Sequence, residues 1–171
     1  MTVILIGYMG SGKSAIGKKI AKKSKINLVD LDDYIEENEG MSITEIFEKK
    51  GEVYFRKKER EYLKQLLETE TNKIVSLGGG TPCYGDNMEM ILKATPYVFY
   101  LKASVDTLYK RLKKRKDQRP LIKNIDNADL SEFIRKHLFE RNFYYMQSHH
   151  IVNVDGKSRK KIAKKVIKKL S

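Results

Sequence analysis

Apolar residues cluster into five short runs, at positions 3–6, 26–29, 73–77, 97–101 and 150–154, several of them rich in β-branched side chains. Longer stretches separate these runs, and in them apolar positions recur every three or four residues, the period of an amphipathic helix. Short apolar strands alternating with such helices predict a parallel sheet with helices on both faces. Two helix starts are legible: Ser42-x-x-Glu45 precedes Ile46-Phe47 and Asp129-x-x-Glu132 precedes Phe133-Ile134, each with capping-box spacing. The charged stretch 113–127, with one proline and few apolar anchors, predicts a mobile surface loop.

The chain has 171 residues, 40% hydrophobic, which suits one domain with a substantial core. No apolar run approaches the roughly 20 residues that cross a bilayer. Met1-Thr2-Val3 lacks the basic start of a secretory signal, and the single Cys83 can form no intramolecular disulfide, so a reducing cytoplasmic location is expected. His137, His149 and His150 lack metal-ligand spacing.

A net charge of +13 raises the question of a polyanionic partner. Lys157, Arg159, Lys160, Lys161, Lys164, Lys165, Lys168 and Lys169 follow Asp155 with no acid among them, leaving +5 for residues 1–155. Ile162, Ala163, Val166, Ile167 and Leu170 recur there at helical spacing, so the lysines read as the solvated face of a packing helix. A nucleic-acid-binding P-loop protein using the 110–123 and 157–169 runs is the rival from another class, but no nucleic-acid motif accompanies them.

The sharpest signal follows the first strand. Gly7-Tyr8-Met9-Gly10-Ser11-Gly12-Lys13-Ser14 is G-x-x-x-x-G-K-S between a strand and a helical pattern, the context this motif requires. Its glycines let backbone N–H groups wrap a phosphate at a helix N-terminus, Lys13 reaches the β- and γ-phosphates, and Ser14 offers a hydroxyl to Mg²⁺. A nucleoside triphosphate is the expected ligand.

Other polar residues should then converge beyond the carboxyl ends of the strands. The second run ends in Val29-Asp30-Leu31-Asp32-Asp33, where a still extended chain would point Asp30 and Asp32 the same way. Two carboxylates there can divide Mg²⁺ orientation from proton acceptance, although a helix N-cap cluster explains them equally well. The third run ends in Gly78-Gly79-Gly80, which invites close approach to the backbone; a tight turn is the competing reading. No Asp ends that run, which leaves Asp30 as the substitute for the usual P-loop magnesium carboxylate.

Taken in order, Gly7 to Ser14, Asp30-Leu31-Asp32 with Ile35-Glu36, Gly51-Glu52-x-x-Phe55-Arg56-x-x-Glu59, Gly78-Gly79-Gly80, Arg119-Pro120-Leu121, and Arg141 with Tyr145 resemble the shikimate kinases over about 150 residues. The resemblance implies a three-layer α/β P-loop kinase fold with a five-stranded parallel sheet of order 2-3-1-4-5. It implies a single domain over 1–171, with a substrate-binding region near 31–60 and a lid near 112–125. It also implies transfer of the γ-phosphate of ATP to the 3-hydroxyl of shikimate with Mg²⁺, in chorismate and aromatic amino acid biosynthesis, by a monomer that uses neither nucleic acid nor membrane.

By the same resemblance, Gly10, Ser11, Gly12, Lys13, Ser14 and Ala15 hold ATP together with Arg111 and Arg119, and Ser14 and Asp30 hold Mg²⁺. Asp32 is the base, Lys13 and Arg119 assist transfer, and Arg56 and Arg141 grip the shikimate carboxylate beside Gly78, Gly79 and Gly80. Planar bidentate donors suit a small carboxylate. Helix ion pairs to Glu52 and Glu59 would also explain Arg56, and surface charge beside Glu140 would explain Arg141. Arg115 rivals Arg111 as the residue stacking on adenine. The chain departs from the family pattern at Phe143, where proline is common, and at Thr81-Pro82-Cys83 after the glycines. Another small kinase of this fold, for gluconate or a nucleotide, is the nearest enzyme rival.

Overall fold

The computed structural model describes residues 1–171. Strands β1 (Thr2–Ile6), β2 (Asn27–Asp30), β3 (Lys73–Ser76), β4 (Val98–Lys102) and β5 (His150–Asn153) form one parallel sheet in the order β2-β3-β1-β4-β5. The five apolar runs mark these strands to within one residue at either end. Central β1 buries Val3, Ile4, Leu5 and Ile6, as a strand covered on both faces must. Edge strand β5 buries only Val152 of its four residues, with half-buried His150 on the same face and exposed Ile151 and Asn153 on the other.

Helices α1 (Lys13–Ser24), α2 (Leu31–Glu39), α3 (Ile43–Glu68), α4 (Asn87–Ala94), α5 (Val105–Lys113), α6 (Asn127–Tyr145) and α7 (Arg159–Lys168) flank the sheet. Helix α7 packs on α1 and sinks Ile162, Ala163 and Val166 into the core, leaving its lysines outside. No helix is long and apolar enough to cross a membrane.

Register positions the functional ends. Leu5 of β1 and Asp30 of β2 both pair with Ser76 of β3, so these three strands finish level. Two residues further on stand Gly7, Asp32 and Gly78, brought to one edge by the hydrogen-bond ladder. The same edge is where ligands bind in open α/β sheets.

Ser42 caps α3 as its spacing predicts, with Oγ accepting from Glu45 N–H at 3.1 Å. Two local expectations fail and a third gains detail. Asp129 is not a cap: α6 begins earlier, with the Asp126 carbonyl accepting from Asp129 and Leu130 N–H, and the polar first turn hides this from apolar periodicity. The 113–127 stretch lies at the surface as expected, with a 3-10 turn at Lys116–Gln118 and Ile122 as its one fully buried anchor. The chain also turns helical at Leu31, so Asp30 and Asp32 do not share an extended strand.

Helix α3 bends at Gly51, whose φ of 85° and ψ of 170° lie in a region open essentially to glycine alone. The bend lets Ser42 start one segment while the next presents Phe55, Arg56 and Glu59 to the sheet edge. An added Cβ at Gly51 meets nothing within 4 Å, so strain alone opposes it. Gly51→Ala should therefore lower unfolding stability by about 1–3 kcal/mol with an unchanged denaturant m-value; equal stability in urea titration would contradict this account of the bend.

Candidate active site

Beyond the carboxyl ends of the strands lies a cavity of about 520 Å³, walled by residues 9–16, Asp30, Asp32 and residues 76–79. Lys110, Arg111, Lys114, Arg115 and Arg119 close one side, and Lys157, Arg159 and Ile162 another. Every P-loop position expected to hold ATP, Gly10 through Ala15, lines this space, as do Arg111 and Arg119. Arg111 lies across the loop, its Nη1 donating to the carbonyls of Gly10 at 3.0 Å and Ser11 at 3.2 Å. Arg115 shares the wall without that bond.

Lys13 folds back on its loop, with Nζ donating to the carbonyls of Gly7 (2.6 Å) and Tyr8 (3.2 Å). Burial pulls its ammonium down to about 8, against the opposing pull of the Asp32 carboxylate. Asp30 is the N-cap of α2, its Oδ1 accepting from Asp33 N–H at 3.1 Å. The capping explanation therefore holds for Asp30, yet its carboxylate still lines the cavity. Asp32 sits in the first turn and faces the same space because Leu31 between them turns into the core. Burial, with Asp30 and Glu59 nearby, pushes the Asp32 carboxyl up to about 6, with Lys13 partly offsetting this.

The glycine run explains itself through its neighbours. A Cβ on Gly78 would lie 3.0 Å from Asp32 Oδ1, one on Gly79 would lie 2.8 Å from Arg141 Nη1, and one on Gly80 would lie 3.1 Å from both terminal nitrogens of Arg56. One carboxylate and two guanidiniums thus lie against successive glycines, where any side chain would displace them. Neither arginine lines the main cavity; they lie against its Gly79 end, over Gly79 and Gly80. Arg56 does make the expected helix ion pair, with Nη1 donating to Glu59 Oε1 at 2.9 Å, but Glu59 is only 1% exposed and its Oε2 accepts from Thr81 Oγ1 at 2.8 Å. A buried, doubly held carboxylate orients the arginine, which a surface ion pair would not. Arg141 is half-buried over the Tyr8 ring, so it is no mere surface charge.

A P-loop cavity beside a glycine run carrying two arginines narrows the family, and comparison with known proteins decides it. The shikimate kinase family profile matches residues 9–171. The shikimate kinase of Flavobacterium psychrophilum is 49% identical over 156 residues, covering 91% of either chain. The chain belongs to the shikimate kinase family. Among solved structures, the Bacteroides thetaiotaomicron shikimate kinase superposes with a TM-score of 0.89 at 35% identity, covering 99% of this chain and 96% of that one. The shikimate kinase of Acinetobacter baumannii, solved in complex with shikimate, gives 0.87 at 28% identity, covering 99% and 92%.

Several contacts of this kinase were not foreseen. Tyr145 donates its hydroxyl to the Gly79 carbonyl, tying α6 to the glycine run one turn beyond Arg141. Tyr8 O–H bonds His137 Nδ1 at 2.8 Å, and burial with Arg141 nearby lowers that imidazole to about 4, leaving it neutral and able to accept. Lys157 and Arg159 face the cavity, so the first residues of the basic C-terminal run are not solely solvated charge, and neither is Lys114. A charge run offers no signal for this, since periodicity cannot separate a cavity wall from solvent. Phe143 is 72% exposed on α6, which runs on unbroken to Tyr145.

The raised Asp32 carboxyl carries a stability consequence. It titrates near 6 in the folded protein against about 3.9 in an unfolded chain, so the folded state binds more protons between these values and stability falls as pH rises through them. Asp32→Asn removes that penalty. The variant should be more stable than wild type at pH 7.5 by on the order of 2 kcal/mol, with the gain gone by about pH 4. Urea titrations at both pH values check this, and an unchanged or lower stability at pH 7.5 would sink it.

Proposed function

We propose that this kinase transfers the γ-phosphate of ATP to the 3-hydroxyl of shikimate, giving shikimate 3-phosphate and ADP on the route to chorismate and the aromatic amino acids. The observation carrying this reading is the glycine run at the end of β3, against which Asp32, Arg141 and Arg56 lie in succession beside the P-loop. A carboxylate facing hydroxyls and two forked cations facing a carboxylate make a complement to a small hydroxylated acid. A nucleotide acceptor would need a base pocket there instead. Residues 31–60 supply the acceptor side and residues 112–125 the lid.

In this scheme Arg56 and Arg141 hold the shikimate carboxylate and the backbone of Gly78, Gly79 and Gly80 supports the acceptor. Asp32 takes the proton of the 3-hydroxyl as its oxygen bonds to the γ-phosphorus and the bond to the β,γ-bridging oxygen breaks, releasing ADP. A carboxyl titrating near 6 is ionised at neutral pH yet remains a usable base. Lys13 leaves its loop carbonyls for the β- and γ-phosphates, and Arg119 meets the charge on the transferring group. Arg111, lying on the P-loop, is the better placed of the two candidates for the nucleotide base.

No three His, Cys, Asp or Glu side chains are grouped so as to hold a metal ion by themselves. The oxygens of exposed Ser14 and of Asp30 nevertheless fit Mg²⁺, which takes most of its ligands from phosphates and water. When bound there, Mg²⁺ would neutralise phosphate charge. All of these groups come from one chain, so a monomer suffices, and its free Cys83 suits the cytoplasm.

A coupled ADP-release assay across shikimate, gluconate and nucleoside monophosphates should show turnover on shikimate alone. Arg56→Lys and Arg141→Lys should each raise KM for shikimate by about tenfold or more, because charge remains but the fork is lost. An unchanged acceptor KM in both variants would reopen the choice of substrate.

Arg119→Ala should lower kcat by roughly 10³ with little change in shikimate KM, since its contact belongs to the transition state. Exposed Lys123, which does not line the cavity, serves as control. Equal damage from Lys123→Ala would mean that the lid acts through summed charge.

A further inference from the structure

We propose that Tyr84 is a positioning residue of the acceptor site, holding the Arg56 guanidinium in the orientation that receives a carboxylate. The inference rests on the reading of Arg56 given above and adds to it a residue outside the family motif, immediately after Thr81-Pro82-Cys83.

The Tyr84 ring lies 3.8 Å from Arg56 Cζ, well inside cation–π range and closer than the Phe55 ring at 5.2 Å. Tyr84 O–H donates to Glu52 Oε1 at 3.2 Å, and that same carboxylate stands 4.0 Å from Arg56 Nε. Glu59, itself fixed by Thr81, holds Nη1. The guanidinium is therefore gripped on one face by a ring and on one edge by a buried carboxylate, with Gly80 bare beneath both terminal nitrogens.

Thr81 and Tyr84 belong to the same short turn after the glycines, so one four-residue stretch supplies both constraints. Packing does not require this arrangement. Tyr84 is 39% exposed, so a core cannot be what demands an aromatic there. An unconstrained arginine gives up rotamer freedom on binding, and one already stacked has less to lose. The gain should appear in acceptor binding and not in the chemical step.

The test is steady-state kinetics on the full chain carrying Tyr84→Ala, Tyr84→Phe, Arg56→Lys and the double variant Arg56→Lys/Tyr84→Ala, with Tm measured for each. Tyr84→Ala should raise KM for shikimate by about five- to tenfold, leaving kcat, KM for ATP and Tm near wild type. Tyr84→Phe, which keeps the ring, should stay within about twofold of wild type. Once Arg56 is lysine, removing the ring should add less than about twofold, because the two residues act as a unit.

An unchanged shikimate KM in Tyr84→Ala, a parallel fall of kcat and Tm, or a full effect in the lysine background would each overturn the proposal. The two layers separate cleanly. A shikimate KM insensitive to Arg56→Lys overturns the carboxylate reading and Tyr84 with it, whereas a sensitive Arg56 beside a silent Tyr84 overturns only the positioning role.

Discussion

Asp30, Ser76 and Leu5 lie level across three hydrogen-bonded strands, and the rest of the site depends on that register. Parallel pairing makes the ends of β1, β2 and β3 open on one edge, so the P-loop, the acidic turn and the glycine run begin side by side. A slip of one residue in β2 would turn Asp32 away from Gly78 and exchange it with Leu31, which the core holds fully buried. The apolar interior of the sheet thereby fixes the polar geometry at its edge.

That edge concentrates charge at an electrostatic cost. Burial raises the Asp32 carboxyl and lowers the Lys13 ammonium, each partly relieved by the other. Such opposing shifts leave a base and a cation close to neutral-pH titration. The arginines are stabilised differently: Arg56 by a buried Glu59 and an aromatic face, Arg141 by its seat over Tyr8 and beside Gly79. Two guanidiniums held by separate neighbours can converge on one anion, whose charge offsets their mutual repulsion.

The chain's large positive charge divides along the same logic. Part of it rides on the outer face of α7, which exists to bury Ile162, Ala163 and Val166. Another part, at Lys110, Arg111, Lys114, Arg115, Arg119, Lys157 and Arg159, walls the cavity opposite only two aspartates, a composition suited to a polyphosphate.

The strands, the P-loop and the cap at Ser42 were legible in the sequence because each is local: a few neighbouring residues carry the period, the loop chemistry or the cap. The glycine run was legible as a demand for close approach, though not as a demand by three particular side chains. Which face Asp30 and Asp32 present, the start of α6 at Asp126 and the burial of Ile122 were decided only when distant segments packed, since none leaves a periodic trace. Arg56 shows the division most clearly. Helix spacing predicts its partner Glu59, but whether that pair floats in water or is buried depends on Thr81, twenty-two positions further along the chain, and on Tyr84 closing over it. Local propensity writes the elements; burial, which depends on the whole fold, determines which charged groups are free to move and which are held for chemistry.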